Sequence, residues 1–421
     1  MTFQQVSLRL YELCLPVIFI LGTAPAHAEK NPEEVLQAAL QIPSLANAVN
    51  SVGRSDARAA SLLTEIASIA SPSGREHERA AKVAELMRNA GLVDVQVDNT
   101  PNVVGRIVGM SGKALVFVTM LDDLPITEEF QREGLRPRRE GDCVVGPATD
   151  IQSAVAAMVL AAEALVASGV HPRHDLVFTA VAREETGLQG MEALYSRYKD
   201  STVGFVEVLG DGQAVHYGAG GAIGWWKVVA HGPEGHTGTG GLPNVNHALA
   251  YPASGIFHLQ QPELPKGTFI NIGIIRSGEA FNHKPATGWF SLDIRAQERG
   301  VVEEIVREVR RILVRVSQET HTRLEMVPDF QSLGGQIPGA RDSYLTRSAI
   351  AVSRHLGFQP ELSDAGCCNM RVPIGEGTPA VGIRGERGGE RATRDEWASI
   401  PAMLNMARHM LLMGVTAGEL Q

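Results

Sequence analysis

The run Leu176-Val177-Phe178-Thr179-Ala180-Val181-Ala182-Arg183-Glu184-Glu185-Thr186-Gly187 decides the fold of this 421-residue chain. Six apolar or β-forming residues in a row, with no polar alternation, describe a strand buried on both faces. The strand then stops on a charged turn that carries two adjacent acids. Strands of this kind alternate with helices on either side. Upstream lie the strands 93–97, 102–108 and 114–119, and a long helix from 153 to 166 opened by Asp150. Downstream lies a strand from Phe205 to Leu209. Alternation of this sort implies an α/β domain built on a mostly parallel sheet flanked by helices. Sites in such sheets form at the carboxyl ends of the strands. Three acidic clusters fall at those ends: Asp122-Asp123, Glu184-Glu185 and Asp211.

Helical spacing covers 35–40, which Pro43 is expected to end, and then 57–69 and 75–89. The pattern changes near Gly220. Strands 226–230, 269–275, 288–295 and 322–327 with helices 246–258 and 301–316 form a second, α+β unit over residues 220–330. It is inserted between two parts of the first domain, 29–219 and 331–421.

Residues 1–28 read as a secretory leader. Arg9 precedes the apolar run Leu13–Leu21, and Ala26-His27-Ala28 supplies small residues for cleavage after Ala28. The expected mature protein starts at Glu29 and is periplasmic or secreted. No later stretch is expected to cross a membrane. Cys143, Cys367 and Cys368 then remain, an odd number that argues against a disulfide framework. The net charge of −9 argues against a nucleic-acid partner.

Carboxylates gathered from separate strands repel one another unless a cation lies among them, so the three clusters are candidates for a metal site. In order and spacing these segments resemble the zinc exopeptidases that include carboxypeptidase G, aminoacylase, succinyl-diaminopimelate desuccinylase and tripeptidase T. The resemblance runs from Ser71-Pro72-Ser73-Gly74 to Glu396-Trp397 and implies a two-metal site, with the inserted unit as a lid and dimerisation domain. By resemblance Glu184 is the general base, and Asp122 orients a metal-bound histidine. Asp150 bridges the metals, and Glu185 is a ligand.

The chain departs from that pattern at the histidines. Met120 stands where His-x-Asp begins, and Ala392 stands at the histidine of the glycine-rich loop Gly388–Glu396. The remaining ligand position falls on Leu209, with Asp211 or Glu207 serving in another register. Zinc favours nitrogen and sulfur donors beside carboxylate, and methionine suits copper(I) better. The expectation is one loosely held divalent ion (zinc, manganese or magnesium) or none. His216, His231, His283 and Cys143 do not stand at ligand-bearing strand ends.

On the substrate side the resemblance implies roles for His236, Asn282, Arg295 and Asn369. Cys367 occupies the aspartate position of the turn that holds Asn369. Trp225, Trp226 and Trp289 are candidates to line an apolar pocket. The expected activity is amide-bond hydrolysis of peptides or N-acyl amino acids by a homodimer with a degraded metal site. The alternatives are a non-catalytic periplasmic binder of a peptide or carboxylate, and metal-free chemistry that uses Glu184 as a base.

Overall fold

A computed structural model describes residues 31–259, 264–332, 334–366 and 368–421. The expected leader and Cys367 lie outside them. The principal sheet has the strand order Val93–Val97, Val103–Ile107, Asp175–Val181, Ala114–Met120, Thr202–Val208, Ala380–Arg384, Ala214–Gly220 and Gly335–Gln336. Glu361–Gly366 also pairs with Ala214–Gly220. Its four central strands are parallel, and the flanking partners Val103–Ile107 and Ala214–Gly220 join antiparallel. Ala114–Met120 is buried along its whole length, as its unbroken apolar run requires.

One face of the sheet is covered by the helix Thr149–Ser168, packed with Ile400–Thr416, Pro43–Val52 and Asp56–Ala67. Thr149–Ser168 is consistent with the expectation that no later stretch spans a membrane. It is long and apolar enough to cross a membrane, but 78% of that stretch is buried inside the protein. Neighbouring helices, not lipid, account for its apolar surface. Pro43 corrects an expectation: it stands in the first turn of its own helix, Pro43–Val52, where its missing N–H costs nothing.

The inserted segment forms a separate antiparallel sheet with the order Phe269–Asn271, Thr287–Ala296, Ala222–His231 and Arg323–Ser332. The helices Val245–His258 and Arg299–Thr320 pack on it around their own apolar core. The expected continuous strand 269–275 is two strands. Phe269 faces Arg295 and Ile275 faces Phe290, so the register slips by one residue between them, on either side of Gly273.

A third sheet was not legible in the sequence. Gly388–Gly389, Trp397–Ser399, Cys143–Val145 and Arg138–Glu140 pair antiparallel, with Trp397 opposite Val145. This sheet ties the glycine-rich loop near the C-terminus to the segment that leads into Asp150.

Candidate active site

The acidic clusters converge where the central strands end. Asp122 and Asp123 follow Ala114–Met120, Glu184 and Glu185 follow Asp175–Val181, and Asp150 lies in the first turn of Thr149–Ser168. Asp122, Asp123, Asp150 and Glu184 are all buried. The turns that hold them are strained. Ala148, Arg183, Glu390 and Ala392 all take positive φ without being glycine. Such residues cost on the order of 1–3 kcal/mol each and cluster where a site must be shaped.

Asp122 uses Oδ2 to accept the backbone N–H of Glu185 at 3.0 Å, and so pins the Glu184-Glu185 turn. Its Oδ1 is buried with no hydrogen-bond partner. Residue 120 is where a histidine donor would be expected, and Met120 cannot supply one. The Met120 side chain instead packs in an apolar cluster with Ile151, Val181 and Leu188. Leu209 is likewise absorbed into the main core. Ala392 contributes only its backbone N–H, which donates to Glu396 Oε2 at 3.1 Å. The other oxygen of Glu396 accepts the N–H of Asp150 at 2.9 Å, so this buried carboxylate joins the loop to the helix start.

Four carboxylates are matched one to one by arginines. Asp150 pairs with Arg387, and Glu185 pairs with Arg391. Asp123 pairs with the fully buried Arg79 at 2.7 Å, and Glu207 pairs with Arg384 at 2.6 Å. Gly388 lies against Asp150 so closely that a Cβ there would stand 3.0 Å from Asp150 Oδ1 and 2.0 Å from the Trp397 carbonyl oxygen. The loop is therefore seated on the Asp150 carboxylate.

Three further acids of the cleft are pushed toward their neutral forms. Burial raises Asp122 to about 6. Burial raises Glu396 to about 7, against the two backbone hydrogen bonds that favour its ionised form. Burial, then the charges of Glu185 and Asp122, raise Glu184 to about 8, while a hydrogen bond from Cys368 works in the opposite direction. Burial and the carboxylates of Glu184 and Glu207 hold the Cys368 thiol well above its ordinary value, which makes it a poor nucleophile.

The other expected site residues divide. Asp211 does not point to the cluster as a free ligand. Its carboxylate caps its own turn, accepting from the N–H groups of Gln213 and Glu386 and from the Gln213 amide. Asn369 is buried and donates to Glu207 Oε1 at 2.8 Å through its amide and at 3.2 Å through its backbone. In the inserted unit, the short strands Gly235–His236 and His283–Lys284 pair antiparallel and bring His236 beside Asn282, whose amide lies 3.1 Å from His236 Nε2. Arg295 lies on the exposed face of its strand and pairs with Asp293 at 3.0 Å. Trp226 is buried core, Trp225 stacks at a tilt on Phe330, and Trp289 receives Lys227 over its ring.

Sequence reasoning missed Arg79, Arg384, Arg387, Arg391 and the bridging role of Glu396. A signal was present in the loop, where Arg384, Arg387, Arg391 and Arg394 recur every three or four residues in a segment bound for an acidic cleft.

A sequence profile of Peptidase family M20/M25/M40 matches residues 121–413. The chain is 25% identical to the succinyl-diaminopimelate desuccinylase of Corynebacterium glutamicum over 304 residues, which span 70% of this chain and 80% of that one. Among solved structures, a tripeptidase from Staphylococcus aureus aligns with a TM-score of 0.66 at 18% identity, covering 86% of this chain and 98% of that one. A dinuclear metal-binding peptidase of family M20 from Bacillus subtilis aligns with a TM-score of 0.59 at 14% identity, covering 87% and 99%. At those identities the structural likeness is one of fold.

Proposed function

Since the chain belongs to peptidase family M20/M25/M40, we propose that it is an amide-bond hydrolase scaffold for peptides or N-acyl amino acids whose two-metal site is degraded. The ligand class rests on the kinds of relative it matches, a desuccinylase and a tripeptidase. The observation that carries the degraded site is the donor set itself. Two ligand positions hold core-packed Met120 and Leu209, a third holds Ala392, and an oxygen of Asp122 is left unpaired. Among the described residues, no three His, Cys, Asp or Glu side chains are gathered as an ion would need. These residues do not fit a pair of zinc ions.

What persists is suited to holding a ligand. A second reading is that of a peptide or carboxylate binder without catalysis, in which His236 and Asn282, in contact in the inserted unit, would face the ligand. Arg295 is the residue best suited to meet a ligand carboxylate. N-acyl amino acids and dipeptides should raise the melting temperature of the wild type, and Arg295→Ala should abolish the rise. An equal rise in the variant would remove Arg295 from the binding surface, and no rise in the wild type with any such ligand would count against this ligand class.

We further propose a homodimer formed through the inserted unit. Phe269, Ile274 and Ile275 are exposed along one edge of its sheet, and Tyr251 and Phe257 are exposed on the helix Val245–His258. An open, apolar strand edge is a surface that proteins cover. Light scattering should give twice the chain mass, and Ile275→Glu should halve it. A monomeric wild type would contradict the assignment. Export, with cleavage after Ala28, remains the reading of the leader sequence.

A further inference from the structure

We infer that Arg387 and Arg391 are the resident cations of this site, each neutralising a carboxylate that a divalent ion would otherwise hold. The inference rests on the reading of the metal site as degraded and adds what replaced it. Arg387 engages Asp150, and Arg391 engages Glu185. Both arginines come from one loop, which the small antiparallel sheet clamps in place. Gly389 pairs with Trp397, Trp397 pairs with Val145, and Glu396 bonds the N–H groups of both Ala392 and Asp150. Arg394 extends the clamp by pairing with Glu133 at 2.5 Å and covering the ring of Phe130.

The arrangement is specific in the charges it joins. Arg391, besides its pairing with Glu185, feels the charges of Glu184 and Asp150, which favour its protonated form. Two buried or half-buried acids held near each other need positive charge. A guanidinium supplies that charge permanently, because it does not lose its proton in proteins, and its planar fork suits carboxylates. Unlike a metal ion, it cannot lower the pKa of a bound water or accept a substrate oxygen as a ligand. The substitution thus preserves the fold of the cleft and removes the need for an ion. A divalent cation entering the wild-type site would have to displace an arginine already paired with each carboxylate.

The inference predicts that removing the arginines re-creates a demand for metal. Wild type and Arg387→Ala/Arg391→Ala protein are melted in chelator and in millimolar Mn²⁺ or Mg²⁺, hard ions that accept carboxylate ligands. The wild type should melt at the same temperature in all three conditions. The double variant should melt lower in chelator and regain roughly 3 °C or more with Mn²⁺. Adding Asp150→Asn to the double variant should abolish that gain. A double variant as stable as the wild type in chelator, or indifferent to Mn²⁺, would overturn the inference while leaving the degraded-site reading intact. A wild type stabilised by metal would overturn both. If the double variant does not fold in chelator, the partly exposed Arg391→Ala is read the same way, and failure of both variants with and without Mn²⁺ counts against the inference.

Discussion

Incubated with dipeptides or N-acyl amino acids and added Zn²⁺, the purified protein should show no metal-dependent hydrolysis. The effect expected is very large. A metal ion can bring the pKa of bound water from ~15.7 to ~7. Without that shift, forming a hydroxide nucleophile costs on the order of 12 kcal/mol more, at ~1.4 kcal/mol per unit. Glu184 as a lone base recovers about 10²–10⁴-fold of the rate. Its carboxyl, raised to about 8 by burial and by neighbouring charge, is moreover largely protonated at neutral pH. The control is Glu184→Gln. Turnover that persists in this variant belongs to a contaminant. Turnover that requires zinc, disappears with chelator and disappears in Glu184→Gln would show that the site assembles a working metal centre despite Met120 and Ala392.

Arg79→Met should destabilise the protein by about 3–5 kcal/mol, the cost typical of removing one partner of a buried ion pair. Arg79 is fully buried. Its guanidinium pairs with Asp123 at 2.7 Å and donates to the carbonyl oxygens of Ile69 and Leu121, at 3.1 Å through Nε and 2.7 Å through Nη1 respectively. Methionine fills much of the volume but leaves the Ile69 carbonyl without its donor, leaves the Leu121 carbonyl with Gln152 alone, and strips a buried carboxylate of its counter-charge. Asp123 retains a hydrogen bond from Gln152 at 3.2 Å, which does not replace a positive charge. Burial already raises Asp123, so loss of Arg79 drives it further toward the protonated form. Denaturant unfolding checks the figure. A change below about 1 kcal/mol, the range of exposed pairs, would mean that Arg79 does not anchor the loop beneath the site. By the same logic, Asp123→Asn/Arg79→Met should be less harmful than Arg79→Met alone.

The parts of the fold that announced themselves in sequence are those with one-dimensional signatures. Leu176–Val181 and Ala114–Met120 are apolar runs bounded by acids, and their carboxyl-end clusters follow from parallel topology. The small sheet that seats the glycine-rich loop has no such signature. Arg138–Glu140 and Cys143–Val145 have three residues each, too few for alternation to be recognised, and their partner Trp397–Ser399 lies some 250 positions away in sequence. The arginine–carboxylate pairs were hidden for the same reason. Arg387 meets Asp150, and Arg391 meets Glu185, only after the chain has closed. An arginine in a polar loop is otherwise indistinguishable from a solvated one. Glu207 illustrates a subtler failure. It stands two residues before Leu209, a spacing that period-two alternation assigns to a single face, so the pattern alone could not choose between them as the ligand. Burial decides: Glu207 is enclosed and spoken for by Asn369 and Arg384, and Leu209 is core. Met120 and Ala392, in contrast, were legible in sequence at the positions where the family resemblance expects histidines. What sequence could not disclose was that Arg387 and Arg391 close on Asp150 and Glu185.

Metal content tests the central claim most directly. The protein is purified without chelator from medium containing zinc and manganese, and its metal is measured per chain by elemental analysis alongside an intact two-metal relative. The account predicts far less than one zinc or manganese per chain in this protein and close to two in the relative. Near-stoichiometric metal that survives dialysis, and is lost in Asp150→Asn or Glu185→Gln, would contradict it.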